Sequence, residues 1–135
     1  MLVQELQVSL PWVRPGADAN SAELFMKITS ADDAALVGAS SLAAGAATLL
    51  APGKGPKPVA GIALPANAVV RLAPGAYRIA LARLMRPLKI GDHVPVSLTI
   101  QSAHGKREEL LIDAEVRRRS AYDDEMKHRH KHYRE

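Results

Sequence analysis

The sequence predicts an all-β fold, an antiparallel sandwich or Greek-key barrel, and three observations carry that prediction. Short apolar runs recur along the chain, several with the period-two alternation of a half-buried strand. Clusters rich in Pro and Gly separate them, which argues for short strands joined by turns and against alternating strand and helix units. The composition is 47% hydrophobic but only 4% aromatic, so the core must be filled by Val, Leu, Ile and Ala, as suits a compact sheet protein.

With 135 residues, one domain is expected. Residues 1–116 form its body and 117–135 a basic, histidine-containing tail, either a short docked helix or an extension. Ser120 and Asp123 have the spacing of a helix capping box. The net charge of +4 is unevenly placed. The tail carries seven Lys or Arg against four Asp or Glu, leaving the body at +1. A nearly neutral body with no aromatic platform in its basic tail speaks against nucleic-acid binding. There is no Cys, hence no disulfide framework, thiol catalyst or thiolate metal site. No apolar stretch approaches the roughly 20 residues of a membrane span, and the first residues do not read as a signal peptide.

The stretch 72–100 organises the chain. Pro74-Gly75 turns into an apolar run over 76–84, a basic connection carries Arg83, Arg86 and Lys89, and Gly91-Asp92 turns into a strand with Val94, Val96, Leu98 and Ile100 on one face. Upstream, a strand over 2–10 places Leu6, Val8 and Leu10 together, and Pro11 ends or edges it. Trp12, the only tryptophan, is expected to anchor one end of the core. Residues 16–20 read as a surface turn. In the strand over 21–29, Ala22, Leu24, Met26 and Ile28 oppose Glu23, Phe25 and Lys27, so Phe25 is expected either to face a second layer or to lie partly covered.

Asp32-Asp33 reads as a turn, 35–39 as a strand, 40–45 as a small-residue linker and 46–51 as another strand. The cluster 52–58 is the strongest breaker. Its GKGPK lacks the spacing and the hydroxyl residue of a phosphate-binding P-loop, and reads as a solvated basic loop. Short strands follow over 59–64 and 68–72. After the organising pair, a turn containing His104 leads to a final strand over 107–116, whose Glu109, Asp113 and Glu115 share a wet face.

Candidate chemistry is sparse. No activated serine, paired acid and base or closed metal centre is recognisable, so no enzyme activity is expected. Met26 and Met85 read as packing residues. In the tail, His128, His130 and His132, with Met126 nearby, offer imidazole and thioether donors suited to Cu(II) or Zn(II), while Arg129 and Lys131 oppose cation binding. A merely basic, solvated tail is the plainer reading, and both stay open.

Over residues 8–116 the pattern resembles the periplasmic copper chaperones of the PCu(A)C family. The carriers are VSLPWVRP, SAELFMKI, LVGASSLAAGAATLL and IALPANAVVRLAPGAYRIALARLMRPLKIGDHVPVSLTI. The resemblance implies a cupredoxin-like β-sandwich or barrel, export to the periplasm, and ancestry in copper delivery for oxidase assembly. It also implies a Cu(I) site built from a His at the end of a short central strand, a Met after the next loop, and a His-x-Met after the PGxY turn. Those positions fall here on Leu50, Pro56, Arg78 and Ala80, none of which supplies a usual ligand.

No cofactor is therefore expected at the family site. The leading expectation is a non-enzymatic domain that has lost its Cu(I) centre and presents Arg78, Arg83, Arg86 and Lys89 to a protein partner in periplasmic copper handling or to a small anion. The alternative keeps a metal carrier, using the tail or ligands shared between molecules.

Overall fold

The computed structural model describes residues 6–118 apart from Ala17, Ala19 and Pro56. The alternating runs fold as nine strands among the described residues: β1 (Leu6–Pro15), β2 (Ser21–Ser30), β3 (Ala34–Ser40), β4 (Ala44–Leu50), β5 (Ile62–Leu64), β6 (Val69–Leu72), β7 (Arg78–Leu84), β8 (His93–Ser102) and β9 (Arg107–Val116). They form one sheet in the order β4-β7-β2-β1-β9-β8-β3-β5, with β6 also on β2. β3 and β4 stand near opposite ends of this order, yet only the 41–43 turn joins them. The sheet must therefore curl back on itself, and a bridge from Ser30 to Ala66 draws the β5 side towards β2. The result is a nearly closed barrel, the all-β architecture that the alternation predicts.

The pairings are antiparallel except between β1 and β9, which run parallel through Trp12↔Glu115 and Val13↔Val116. Nearly the whole chain separates these two strands, so no hairpin fixes their relative direction. Inside, the organising stretch behaves as its pattern predicts: Val94, Val96, Leu98 and Ile100 are fully buried with Ile79 and Leu81. They pack against Leu24, Ile28, Leu36 and Ile62 in one apolar cluster. Each such side chain contributes roughly 1.5–3 kcal/mol on burial.

β1 departs from expectation. Pro11 does not end it; the strand continues to Pro15 through a register shift between Ser9 and Trp12, with Leu10 at φ 50°. Proline cannot donate to a ladder, and an irregularity of this kind is where its missing N–H is tolerated. The shift also turns Leu10 outward, so it is exposed and does not share a core face with Leu6 and Val8. β5 begins at Ile62, not at 59, because residues 57–59 lie along β4 instead: Val59 N–H donates to Leu49 O at 2.9 Å and Pro58 bridges Leu50. Residues 119–135, including the expected helix cap at Ser120, lie outside the described residues.

A second, smaller apolar group sits on the outer face of β1 and β2. Trp12 and Phe25 are both buried, with ring centroids 4.8 Å apart and planes tilted by 44°. Phe25 marks a junction in β2, whose residues Ser21 to Leu24 pair with β7 and Met26 to Thr29 with β6. Strands β6 and β7 are thus one strand interrupted by an excursion over 73–77, opposite Phe25. Replacing Phe25 by Ala should lower unfolding stability by about 3–5 kcal/mol in urea titration. Leu42→Ser, on a nearly fully exposed side chain, should change it by less than about 0.5 kcal/mol.

Candidate functional site

Two irregular segments meet at the end of β4 and the start of β7. β4 ends at Leu50, and residues 51–57 fold back so that Ala51 N–H donates to Lys57 O at 2.8 Å. The 73–77 excursion closes through Ala73 N–H to Tyr77 O at 3.0 Å. Gly53 N–H donates to Gly75 O at 3.0 Å and ties the two loops together. Gly53 and Gly75 have φ of 110° and 82°, where a β-carbon is disfavoured, so this junction depends on glycine at both positions.

The register puts one polar side chain beneath these loops. Ile79 and Leu81 point into the core, so Arg78 and Ala80 point to the outer face. Leu50 lies opposite Arg78, and Glu23 opposite Ala80. Arg78 is only 6% exposed. Its Nε donates to Glu23 Oε2 at 3.0 Å, Nη1 to Ala51 O at 3.0 Å and Ala76 O at 3.1 Å, and Nη2 to Gly55 O at 3.1 Å. A buried charge is tolerated only when paired and hydrogen-bonded, and the planar guanidinium fork meets a carboxylate and three carbonyls in different directions. The other Glu23 oxygen, Oε1, accepts from Arg14 Nη2 at 2.9 Å, and the Arg14 guanidinium lies 5.2 Å from the Phe25 ring centroid.

An open cleft of about 580 Å³ runs beside this network, lined by Arg14, Glu23, Leu50, Gly55, Arg78 and Ala80 among others. Three of the four positions to which the copper ligands were aligned, Leu50, Arg78 and Ala80, therefore meet at one cleft. Pro56, the fourth, lies outside the described residues, as do Met126, His128, His130 and His132 of the tail. The polar groups around the cleft are guanidinium N–H groups, which cannot ligate a metal, the Ser21 hydroxyl, carbonyl oxygens and a carboxylate that two arginines already engage. None is a soft ligand of the kind that selects Cu(I). Among the described residues no group of three or more His, Asp or Glu is arranged to hold a metal ion.

One sequence expectation needs correction. Arg78 is not presented at the surface with Arg83, Arg86 and Lys89; it is buried with four hydrogen bonds, whereas those three are exposed at the other end of β7 and beyond it. Alternation along β7 shows which face Arg78 occupies but not that two loops cover it. The roles of Arg14 and Glu23 were missed as well. The only signal was Glu23 sharing the Phe25 face of β2, and its partner is 55 residues away.

The fold matches solved copper-chaperone domains. The apo PCuAC domain from PmoF1 aligns at 27% identity over 83% of this chain and 92% of its own, with a TM-score of 0.71. The Cu(I) form of DR1885 from Deinococcus radiodurans aligns at 25% identity over 86% of this chain and 77% of its own, with a TM-score of 0.59. The copper-bound PCuAC domain from PmoF2, at 23% identity over 82% and 91%, shares the fold with a TM-score of 0.68. A family model described as LpqE-like, putative lipoprotein LpqE-like, matches residues 6–110. No curated protein sequence matches the chain. The cupredoxin-like PCuAC fold expected from the sequence is thus the fold observed.

Removing the guanidinium should loosen both loops at once. Arg78→Met should cost about 2–4 kcal/mol in urea unfolding, discounted because Glu23 is partly exposed. It should also speed hydrogen exchange at Gly53 and Ala73. Arg78→Lys should not rescue either effect, because an ammonium cannot reproduce the planar fork.

Proposed function

We propose, for a chain that belongs to the LpqE-like family of putative lipoproteins, a non-enzymatic role as an exported binding protein of the PCuAC fold. In this reading an internal guanidinium has replaced the Cu(I) site. The observation that carries it is the placement of Arg78, buried under the 51–57 and 73–77 loops with four hydrogen bonds.

In this reading the first ligand of the family's His-x-Met pair corresponds to Arg78, its Met to Ala80 and the strand-end His to Leu50. Cu(I) favours thioether and imidazole donors. Leu50 and Ala80 offer neither, and the arginine side chain stays protonated and repels a cation. The position that holds a metal in a copper chaperone is thus filled by a cation belonging to the chain. Two of the similar structures are described as copper-bound, and that relationship supports descent from copper handling. The family description and the periplasmic PCu(A)C resemblance support export. With Arg78 withdrawn into the fold, Arg83, Arg86 and Lys89 are the members of the expected set of four that remain exposed to a protein partner or small anion.

Anaerobic Cu(I) titration against a chelating competitor tests this reading, with Cu(II) titrated separately. The full chain should bind no Cu(I) at the cleft. Leu50→His, Pro56→Met, Arg78→His and Ala80→Met combined should create stoichiometric Cu(I) binding. Tight Cu(I) binding by the unmodified chain that survives His128→Asn, His130→Asn and His132→Asn together would refute the loss of the site. Cu(II) or Zn(II) binding abolished by those three changes would assign a metal-carrier role to the tail with Met126. Cu(I) binding confined to a dimer would point to ligands shared between molecules.

A further inference from the structure

The end of the barrel away from the 102–106 hairpin combines those exposed cations with an apolar feature that the copper reading does not use. The 41–43 turn and the 85–92 connection meet there: Met85 N–H donates to Ala43 O at 2.9 Å, and Ser41 Oγ to Pro95 O at 2.6 Å. The connection is braced by Gly91 N–H to Val116 O at 2.9 Å and by Lys89 N–H to the Asp92 carboxylate at 2.9 Å. On this framework Leu42 is 90% exposed, Met85 69% and Ile90 53%. Single exposed apolar residues are ordinary, but three on two adjoining loops are not scattered.

Positive charge predominates around them. Arg83, Arg86 and Lys89 are exposed on the same connection and the strand end leading into it, and among the described residues no carboxylate forms an ion pair with any of them. The neighbouring acids are engaged locally, Asp113 with His93 Nδ1 at 2.9 Å and Glu115 with Arg117 Nη1 at 3.2 Å. Asp92 accepts the Lys89 amide. Asp18, in the loop whose Asn20 O accepts Leu84 N–H, takes the Asn20 N–H and the Ser21 hydroxyl, bonds that hold its pKa below the ordinary carboxylate value.

We propose that this end of the barrel, with Leu42, Met85 and Ile90 as apolar contacts and Arg83, Arg86 and Lys89 around them, docks on an anionic phospholipid surface. Leu42, Met85 and Ile90 are each more than half exposed and stand on two loops, so a rigid protein would have to accommodate three separate side chains. A lipid interface accepts separate apolar side chains without preformed pockets, while each nearby Lys or Arg gains attraction to anionic headgroups. The contact is peripheral and involves no spanning segment. It does not rest on the loss of the copper site, and either can fail without the other.

The test is sedimentation of the full chain with vesicles of phosphatidylcholine alone and of phosphatidylcholine mixed with phosphatidylglycerol. The chain should partition onto the mixed vesicles only, and less so as salt rises. Leu42→Ser, Met85→Ser and Ile90→Ser combined keep every charge, including those of the basic tail, and should lower partitioning about tenfold or more with an unchanged melting temperature. Arg86→Glu with Lys89→Glu should weaken it far more than Lys106→Glu with Arg107→Glu, the same charge change at the opposite end of the barrel. Three results would each overturn the proposal: no binding to the mixed vesicles, unchanged binding by the apolar triple variant, or equal loss from the two charge reversals. The second would mean that charge alone, with the tail included, accounts for any binding seen.

Discussion

The fork of hydrogen bonds from Arg78 ties two irregular loops to the paired strands β2, β7 and β4 beneath them. Its Nε reaches β2 through Glu23, its Nη1 reaches Ala51 at the end of β4 and Ala76 in the excursion before β7, and its Nη2 reaches Gly55 in the covering loop. The Gly53 to Gly75 bond lies above this network, and Leu50 beside it in the β4 and β7 register. A metal ion shared by ligands on two strands and a loop performs the same mechanical task, drawing separate segments to one point. Here a side chain does so without a cofactor, and one carboxylate compensates its charge. Because Glu23 also binds Arg14, which lies over Phe25, the network is continuous with the outer apolar group of Trp12 and Phe25.

This replacement changes what the cleft can do. A chaperone has to hold its metal and release it, which calls for ligands that exchange. A permanently protonated guanidinium has no lone pair to offer a metal, and its hydrogen bonds tie both loops to the chain's own side chain. The chain thus keeps the PCuAC fold while the feature that distinguishes a carrier is absent from the cleft. In the proposed reading recognition falls to the remaining surface, where the basic, apolar end of the barrel offers a contact.

Much of the fold was legible because a strand writes its burial into a period of two. Val94, Val96, Leu98 and Ile100 on β8, and Ala22, Leu24, Met26 and Ile28 on β2, announced their core faces, and β9 occupies residues 107–116 as its pattern indicated. The irregular places were not legible. A shift between Ser9 and Trp12 that carries the strand through Pro11 depends on pairing with β2, and the parallel contact of β1 with β9 depends on the two ends of the body meeting. The site divides in the same way. The resemblance carried by the PGxY turn and the YRIAL strand pointed to Arg78 and Ala80, and the structure brings both, with Leu50, to one cleft. That Arg78 is internal follows only from loops folding over it and from Glu23, far away in sequence, arriving beside it. An arginine on the outer face of a strand looks, from sequence alone, like a surface charge.

The most direct measurement of whether Arg78 occupies the place of the metal is the side-chain Nε–H resonance of Arg78 in a nitrogen-15 NMR spectrum, followed in hydrogen exchange and during addition of one equivalent of Cu(I). A fixed, buried fork predicts a resolved signal that exchanges far more slowly than those of Arg83 and Arg86, together with no movement of the signals of Leu50 to Gly55 when copper is added. Rapid exchange, matching the exposed arginines, would contradict the internal cation. So would a displacement of those signals by Cu(I), which would show a metal competing for the position assigned to the guanidinium.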